Sequence, residues 1–132
     1  MAYEISAYAV KITRVAGADL SALQYTFVKQ NSSNQVVAVA AATDIPIGVL
    51  QNAPTSGQEA EILVVGGTKL KAGATITQGT HFLLGTTSTG TATPLAAGTD
   101  TTKYVVASPL SGAASGDIMS AIVNCAAPSR AA

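Results

Sequence analysis

Residues able to do covalent or acid–base chemistry are few and scattered in this sequence. Cys125 is the single cysteine and His81 the single histidine. A reactive thiolate needs an electropositive setting, and Arg130 is the one basic residue near Cys125 in the sequence. A general base needs a nucleophile within reach, and no G-x-S-x-G nucleophile elbow is present. We therefore predict an inert, buried thiol at Cys125 and a structural or surface role for His81.

The acidic residues do not form an arrangement that supports catalysis or metal binding. Glu59 and Glu61 lie two apart on a predicted strand and so point to the same face, whereas the paired carboxylates of glycosidases usually come from different elements. One cysteine and one histidine cannot complete a zinc or iron–sulfur site within one chain. The aspartates are isolated, which argues against a calcium loop: Asp19, Asp44, Asp100 and Asp117. We predict no enzymatic activity, no metal and no cofactor.

The composition describes a neutral chain with few charges. Its 132 residues include 7 Lys and Arg and 7 Asp and Glu, so the formal net charge is zero. Charged residues make up 11% of the chain, against roughly 25% in an average soluble domain. No basic stripe is available for nucleic acid, no apolar run is long enough to span a membrane, and no signal-peptide pattern is visible. We expect a protein made in the cytoplasm that binds neither nucleic acid nor membrane.

Turn residues divide the chain into short strands. Gly and Pro recur roughly every eight to twelve residues, with Thr and Val dominating between them, which is typical of an all-β domain. The pattern predicts one all-β domain of about eight or more short strands with little helix. Residues 45–50 predict a strand with Pro46 at its start, and Ile76 predicts the buried plug of a compact turn.

Three segments leave their local structure open or point to a loop. Asp19 is placed to cap a single helical turn that holds Leu20 and Leu23. The pair Gly66-Gly67 fits either a hairpin turn or a bulge in a continuing strand. Residues 85–98 are rich in Thr, Ser, Gly and Ala and predict an exposed hairpin tip or long loop.

The N-terminal segment changes its hydrophobic phase. Tyr3 and Ile5 alternate on one parity, and Tyr8, Val10 and Ile12 alternate on the other. A slip by one residue turns every side chain to the opposite face. Either a bulge near residues 7 and 8 lies inside one long first strand, or residues 2–7 form an arm that adds to a sheet edge on a neighbour. The candidate partner-binding residues are Ala2, Tyr3, Glu4, Ile5, Ser6, Ala7 and Tyr8.

The middle and end of the chain resemble a known family. The carrying segments are PIGVLQN at 46–52, Pro54 and Gly57, EILVVGGTKLKAG at 61–73, and SGDIMSAI at 115–122. Over residues 45–123 the sequence resembles the small capsid decoration proteins of tailed phages. The long Thr/Ser/Gly segment at 85–98 departs from that pattern, and the first twenty residues carry little of it.

This resemblance implies a fold and a role. The implied fold is a compact β-barrel or β-tulip, divided here into an N-terminal arm and first strand at 1–15, a decoration domain at 16–125 and a frayed C-terminal tail at 126–132. The implied role is a virion protein on the outer capsid surface, made in the host cytoplasm, that cements major capsid subunits as a homotrimer or a dimer. The alternative is a β-rich adhesion or carbohydrate-binding module, which the absence of Trp disfavours.

Overall fold

The computed structural model describes residues 9–41, 43–85 and 89–130, and every regular element among them is a β-strand. The candidate residues Ala2, Tyr3, Glu4, Ile5, Ser6, Ala7 and Tyr8 lie outside the described residues. The ten strands are β1 (Val10–Val15), β2 (Phe27–Gln30), β3 (Val36–Ala38), β4 (Gly48–Leu50), β5 (Glu59–Lys71), β6 (Leu83–Leu84), β7 (Thr93–Pro94), β8 (Tyr104–Pro109), β9 (Ile118–Asn124) and β10 (Ser129–Arg130). The prediction of an all-β domain with about eight or more short strands is confirmed. Within these ranges, no helix has the length and apolarity needed to cross a membrane.

The 13-residue strand β5 organises the sheet. The strands follow the order β3-β2-β4-β5-β9-β8-β6-β7, while β1 pairs with β5 and β10 pairs with β8. All strand pairs are antiparallel. Ile62 and Leu63 each pair with both β1 and β4, so those two strands flank the first half of β5 on opposite edges. The second half of β5 pairs with β9.

The glycine pair in β5 continues the strand. Gly66 has φ +133°, and a Cβ there would lie 3.0 Å from the Cα of Ala9. The register between β1 and β5 shifts nearby, between Val10 and Lys11. The strand therefore continues through Gly66-Gly67 and the hairpin alternative is wrong; both glycines pair one to one with β9, and the register irregularity lies just before them, between Leu63 and Val65. Glycine is needed because a side chain in this conformation would be strained and would crowd the chain entering β1.

The segment predicted as an exposed tip or long loop is largely a closing element. Thr93–Pro94 form β7 against β6, the Phe27 N–H donates to the Gly90 carbonyl over 2.8 Å, and Ala92 forms an isolated bridge with Ala72. Gly90 and Ala92 are buried. The predicted exposure is wrong at Gly90 and Ala92, because small residues also let a backbone pack closely against a core, whereas residues 96–98 are exposed as predicted. The sheet curls into a half-barrel through these contacts.

Two apolar clusters fill the curled sheet. The larger one joins residues of β2, β4, β5, β6, β8 and β9 around Phe27, Leu70 and Met119. The smaller one lies under β1 to β5 around Leu20, Val36 and Ile62. The predicted plug Ile76 is buried in the larger cluster.

Three smaller predictions differ from the structure. The segment at Leu20 and Leu23 is a hydrogen-bonded turn without a helix: the Leu23 N–H donates to the Leu20 carbonyl, and Asp19 Oδ1 accepts from the Ser21 N–H. The strand expected at 45–50 starts at Gly48, because Pro46 has no N–H to give to a ladder. At the C-terminal end, β10 pairs with β8, so residues 129 and 130 are not frayed.

Candidate interaction surfaces

The thiol of Cys125 is buried at the end of β9. Only 8% of the residue is exposed, and its N–H donates to the Val64 carbonyl over 2.9 Å. Burial raises the pKa of this thiol to about 12, because a thiolate is poorly stabilised away from water. Since the thiolate is the nucleophilic form, the position suits a packing residue.

The imidazole of His81 has a local structural partner. Its Nδ1 accepts a hydrogen bond from the Thr77 N–H over 3.2 Å. That bond closes the turn ahead of β6. In the described ranges, no group of three or more His, Cys, Asp or Glu side chains could hold a metal ion.

The charged residues of β5 form separate local contacts. Lys11 Nζ of β1 lies 3.2 Å from Glu61 Oε1 of β5 across the strand pair. Lys69 Nζ lies 5.8 Å from the centre of the Tyr25 ring. Because β5 is one continuous strand, the Glu59 and Glu61 pair is far along it from Lys69. These contacts stabilise the sheet surface.

Two aspartates hold loops near opposite ends of the strand order. Asp44 Oδ2 accepts from Lys29 Nζ over 2.8 Å and from the N–H groups of Ala40 and Ala41. The hydrogen bond from Lys29 is the main reason that the pKa of Asp44 is lowered. Lys103 acts in the same way on Asp100, whose pKa is also lowered. Each carboxylate joins a lysine to backbone groups of its own loop.

An apolar patch covers the outer face of β8 and β9. We call Phe82, Leu110, Ile118 and Ile122 the Phe82 patch, and all four side chains are exposed, Phe82 by 59%. Phe82 and Ile122 line one shallow depression together with Ser108, which is the cross-strand partner of Ile122. These four exposed side chains form a surface that is typical of protein-interaction sites.

Lysines border this patch on β5. Lys71 pairs with Ile118 and Lys69 with Ser120 across the β5–β9 ladder, and directly opposed side chains share a face. The patch is therefore bordered by lysines on its β5 side. Such a surface fits a protein partner with an apolar centre and carboxylates around it.

The strand β1 forms a second exposed region. Five of its six residues are exposed, with Val10 at 53% and Val15 at 45%. Among the described strands it pairs with β5 alone. Its backbone therefore presents an edge that another strand can join.

Sequence reasoning missed the Phe82 patch. A signal was present in β9, where Ile118 and Ile122 share one parity while Met119, Ala121 and Val123 share the other. A strand that is apolar on both parities is typically covered on both faces. One of these faces packs into the larger core cluster, and the other carries part of the patch.

Comparison with solved structures finds a similar fold. No family model matches the chain, and no curated protein matches it. A solved structure described as the N base of head fiber gp8.5 in bacteriophage phi29 is similar, with a TM-score of 0.65 and 20% sequence identity. The similarity covers 89% of this chain and 96% of that chain. The two chains share a fold.

Proposed function

We propose that this protein is a non-enzymatic structural protein of a tailed-phage virion, located on the outer surface of the head. The observation that carries the proposal is the shared fold with the N base of a phage head fiber over nearly the whole of both chains. The decoration-protein resemblance at 45–123 supports the same location. The finer part of the proposal is that the protein cements neighbouring major capsid subunits, as a homotrimer or a dimer.

The Phe82 patch supports docking on a protein surface. Exposed apolar patches rimmed by polar groups are typical of protein interaction sites, and burying Phe82 and Ile122 would remove apolar area from water. We propose that the patch contacts the major capsid protein. His81 and Cys125 have no catalytic role in this proposal, and no cofactor, nucleic acid or membrane takes part.

Capsid binding by matched variants tests this function. The test uses heads of the encoding phage that lack this protein, co-sedimented with the purified chain. We expect Phe82→Ser with Ile122→Thr to weaken binding by about tenfold or more, since central apolar anchors dominate interface energies. The control is Ile45→Thr, because Ile45 is 58% exposed and lies ahead of β4, outside the patch. Equal binding by all variants would contradict docking through the patch.

The adhesion alternative is decided by a separate measurement. Carbohydrate sites usually present an aromatic platform, and Phe82 is the exposed aromatic side chain among the described residues. A glycan array probed with the wild-type chain should show no specific binding. A specific glycan hit that Phe82→Ser abolishes, without binding to heads, would replace the virion proposal by the adhesion alternative.

A further inference from the structure

The open edge of β1 has a defined row of backbone groups. The Gln51 N–H donates to the Glu61 carbonyl over 2.8 Å, so the backbone of Glu61 faces β4. Thr13 opposes Glu61 in the β1–β5 pair. Because successive residues alternate their hydrogen-bonding edge in an antiparallel ladder, Thr13 faces away from β5, as do Lys11 and Val15.

The next outward-facing position shows that this row can be paired. The Gly17 N–H, two residues after Val15, donates to the Val36 carbonyl over 2.8 Å. At Thr13 the carbonyl instead accepts from Arg14 Nη1, a contact within the same strand. The described residues therefore close the edge at Gly17 and leave it unpaired along β1.

The charges on β1 restrict which strand can pair with its open edge. β1 carries Lys11 and Arg14 and no acidic residue. Lys11 is already paired with Glu61, whereas no described carboxylate forms an ion pair with Arg14. A β1 strand from a second copy would add two more positive charges and no negative one. The edge favours a strand that places a carboxylate beside Arg14.

The segment at residues 2–7 has the required length and charge. It has six residues, as many as β1, and it contains Glu4 between Tyr3 and Ile5. Residues 2–8 contain no Gly, Pro, Asn or Asp, which are the residues that tight hairpin turns require. The segment is therefore poorly suited to fold back on its own β1, and the edge of another copy is available to it.

We propose that residues 2–7 of one copy of this chain add as an antiparallel strand to the open edge of β1 in a neighbouring copy. In the register that opposes Glu4 to Arg14, Ile5 opposes Thr13 and Tyr3 opposes Val15, and the added strand ends there because Ala16 already bridges Val36. Backbone hydrogen bonds supply affinity and the Glu4–Arg14 pair sets the register. This link between copies uses a different surface from the Phe82 patch and does not depend on the virion role.

Removal of the segment is the first test. Light scattering at micromolar concentration should show an oligomer for the full chain and a monomer for a variant lacking residues 2–7. The thermal midpoint of the dilute protein should be the same for both, because the segment belongs to no core of its own chain. A full chain that is monomeric throughout would overturn the proposal. So would a truncation that lowers the midpoint by several degrees and leaves the mass unchanged, which would place the segment in its own sheet.

Cross-linking tests the register in the intact chain. In a Cys125→Ser background, Glu4→Cys with Arg14→Cys should form disulfide-linked oligomers on mild oxidation, because directly opposed antiparallel residues have Cβ atoms about 4.5–5.5 Å apart. The control is Glu4→Cys with Thr101→Cys, since Thr101 is exposed in the loop ahead of β8. Equal cross-linking of both pairs would contradict the register.

Exchanging the charges at residues 4 and 14 provides a second check, and Arg14 is exposed, so its replacement need not disturb folding. Arg14→Glu alone and Glu4→Arg alone should each weaken self-association by about tenfold, through loss of a pair and repulsion between like charges. The double variant should restore it. A double variant as weak as either single variant would show that these two residues do not face each other.

Discussion

Two edges of the curled sheet, at β7 and at β1, differ in how the described residues pair with them. At the β7 end, the chain returns to its own core: Gly73 N–H donates to the Ala92 carbonyl, and Ala92 N–H donates to the Lys71 carbonyl. A Cβ on Gly85 would collide with the Phe27 ring, so small residues allow this approach. At β1 the side chains are long or β-branched and the outer edge stays unpaired by the described residues. The β7 edge is closed by the chain's own residues, whereas the β1 edge can accept another strand.

Gly90→Ala should disrupt the closed β7 edge and have the largest effect on stability. A Cβ there would collide with the Phe27 carbonyl at φ +72°, so we expect a loss of about 3 kcal/mol or more in the free energy of unfolding. Gly98→Ala is the control, because it has φ +80° and nothing within 4 Å. It should lose only about 1 kcal/mol. Chemical denaturation measures both losses. Equal losses would mean that the close packing of Gly90 against Phe27 contributes nothing to stability.

Truncation of one apolar side chain in β6, next to β7, and one in β1 should give different losses of stability. Leu83→Ala in β6 should lower the free energy of unfolding by about 3 kcal/mol, since Leu83 is fully buried in the larger cluster. Val15→Ala in β1 should lower it by less than about 1 kcal/mol, because nearly half of that residue is exposed. Urea midpoints measured on the dilute protein give the comparison. A larger loss at Val15 would show that β1 is covered within its own chain.

The reactivity of Cys125 reports on the junction between β1 and β9. With a pKa of about 12, the thiol should react with iodoacetamide at least about a hundredfold more slowly in the folded protein than in urea. Removal of residues 2–7 should leave this protection intact if the segment serves a neighbour. Rapid labelling of the truncated protein would show that the segment covers the junction in its own chain. Tryptic peptide mass measures the labelled fraction over time.

Acid should lower the thermal midpoint to a similar extent through the Asp44 loop and the Asp100 loop. This is the smallest of the expected effects. The folded pKa values of Asp44 and Asp100 are lowered, so their contribution is present above the unfolded pKa and is lost as pH falls through the folded value. The thermal midpoint should therefore decline below about pH 4. Asp44→Asn and Asp100→Asn should each lower the midpoint near neutral pH and converge with wild type in strong acid. A variant that kept its deficit in strong acid would point to a packing defect.

Much of the fold follows from local sequence chemistry. Turn residues mark the strands, and Ile76 is recognisable as an apolar residue within a compact turn. Gly66 could not be decided from the sequence, because a glycine adopts φ > 0 both in hairpins and in bulges. Gly90 reads as a loop residue because its burial depends on Phe27, which lies more than sixty residues away. The burial of Ala92 depends on its backbone bonds to Lys71 and Gly73.

The candidate surfaces were harder to predict than the strands. Phe82 looks like a core residue in sequence, and only the register of β6 and β8 shows that it lies outside. The openness of β1 depends on β3 meeting the chain only at Ala16 and Gly17, which no periodicity in residues 10–15 reveals. The phase change between Ile5 and Tyr8 did indicate that the N-terminal segment needs its own explanation, and its structure stays a prediction.

The division of β5 between two neighbours has a mechanical consequence. β1 starts opposite Val65 and β9 ends opposite the same residue, so the two strands lie end to end along β5. Tension applied to the start of β1 along the strand axis loads the whole β1–β5 ladder in shear, and all its pairs must yield together. Tension applied across the strand opens the ladder one pair at a time. The β1–β5 ladder therefore resists tension along the strand axis more strongly than tension across the strands.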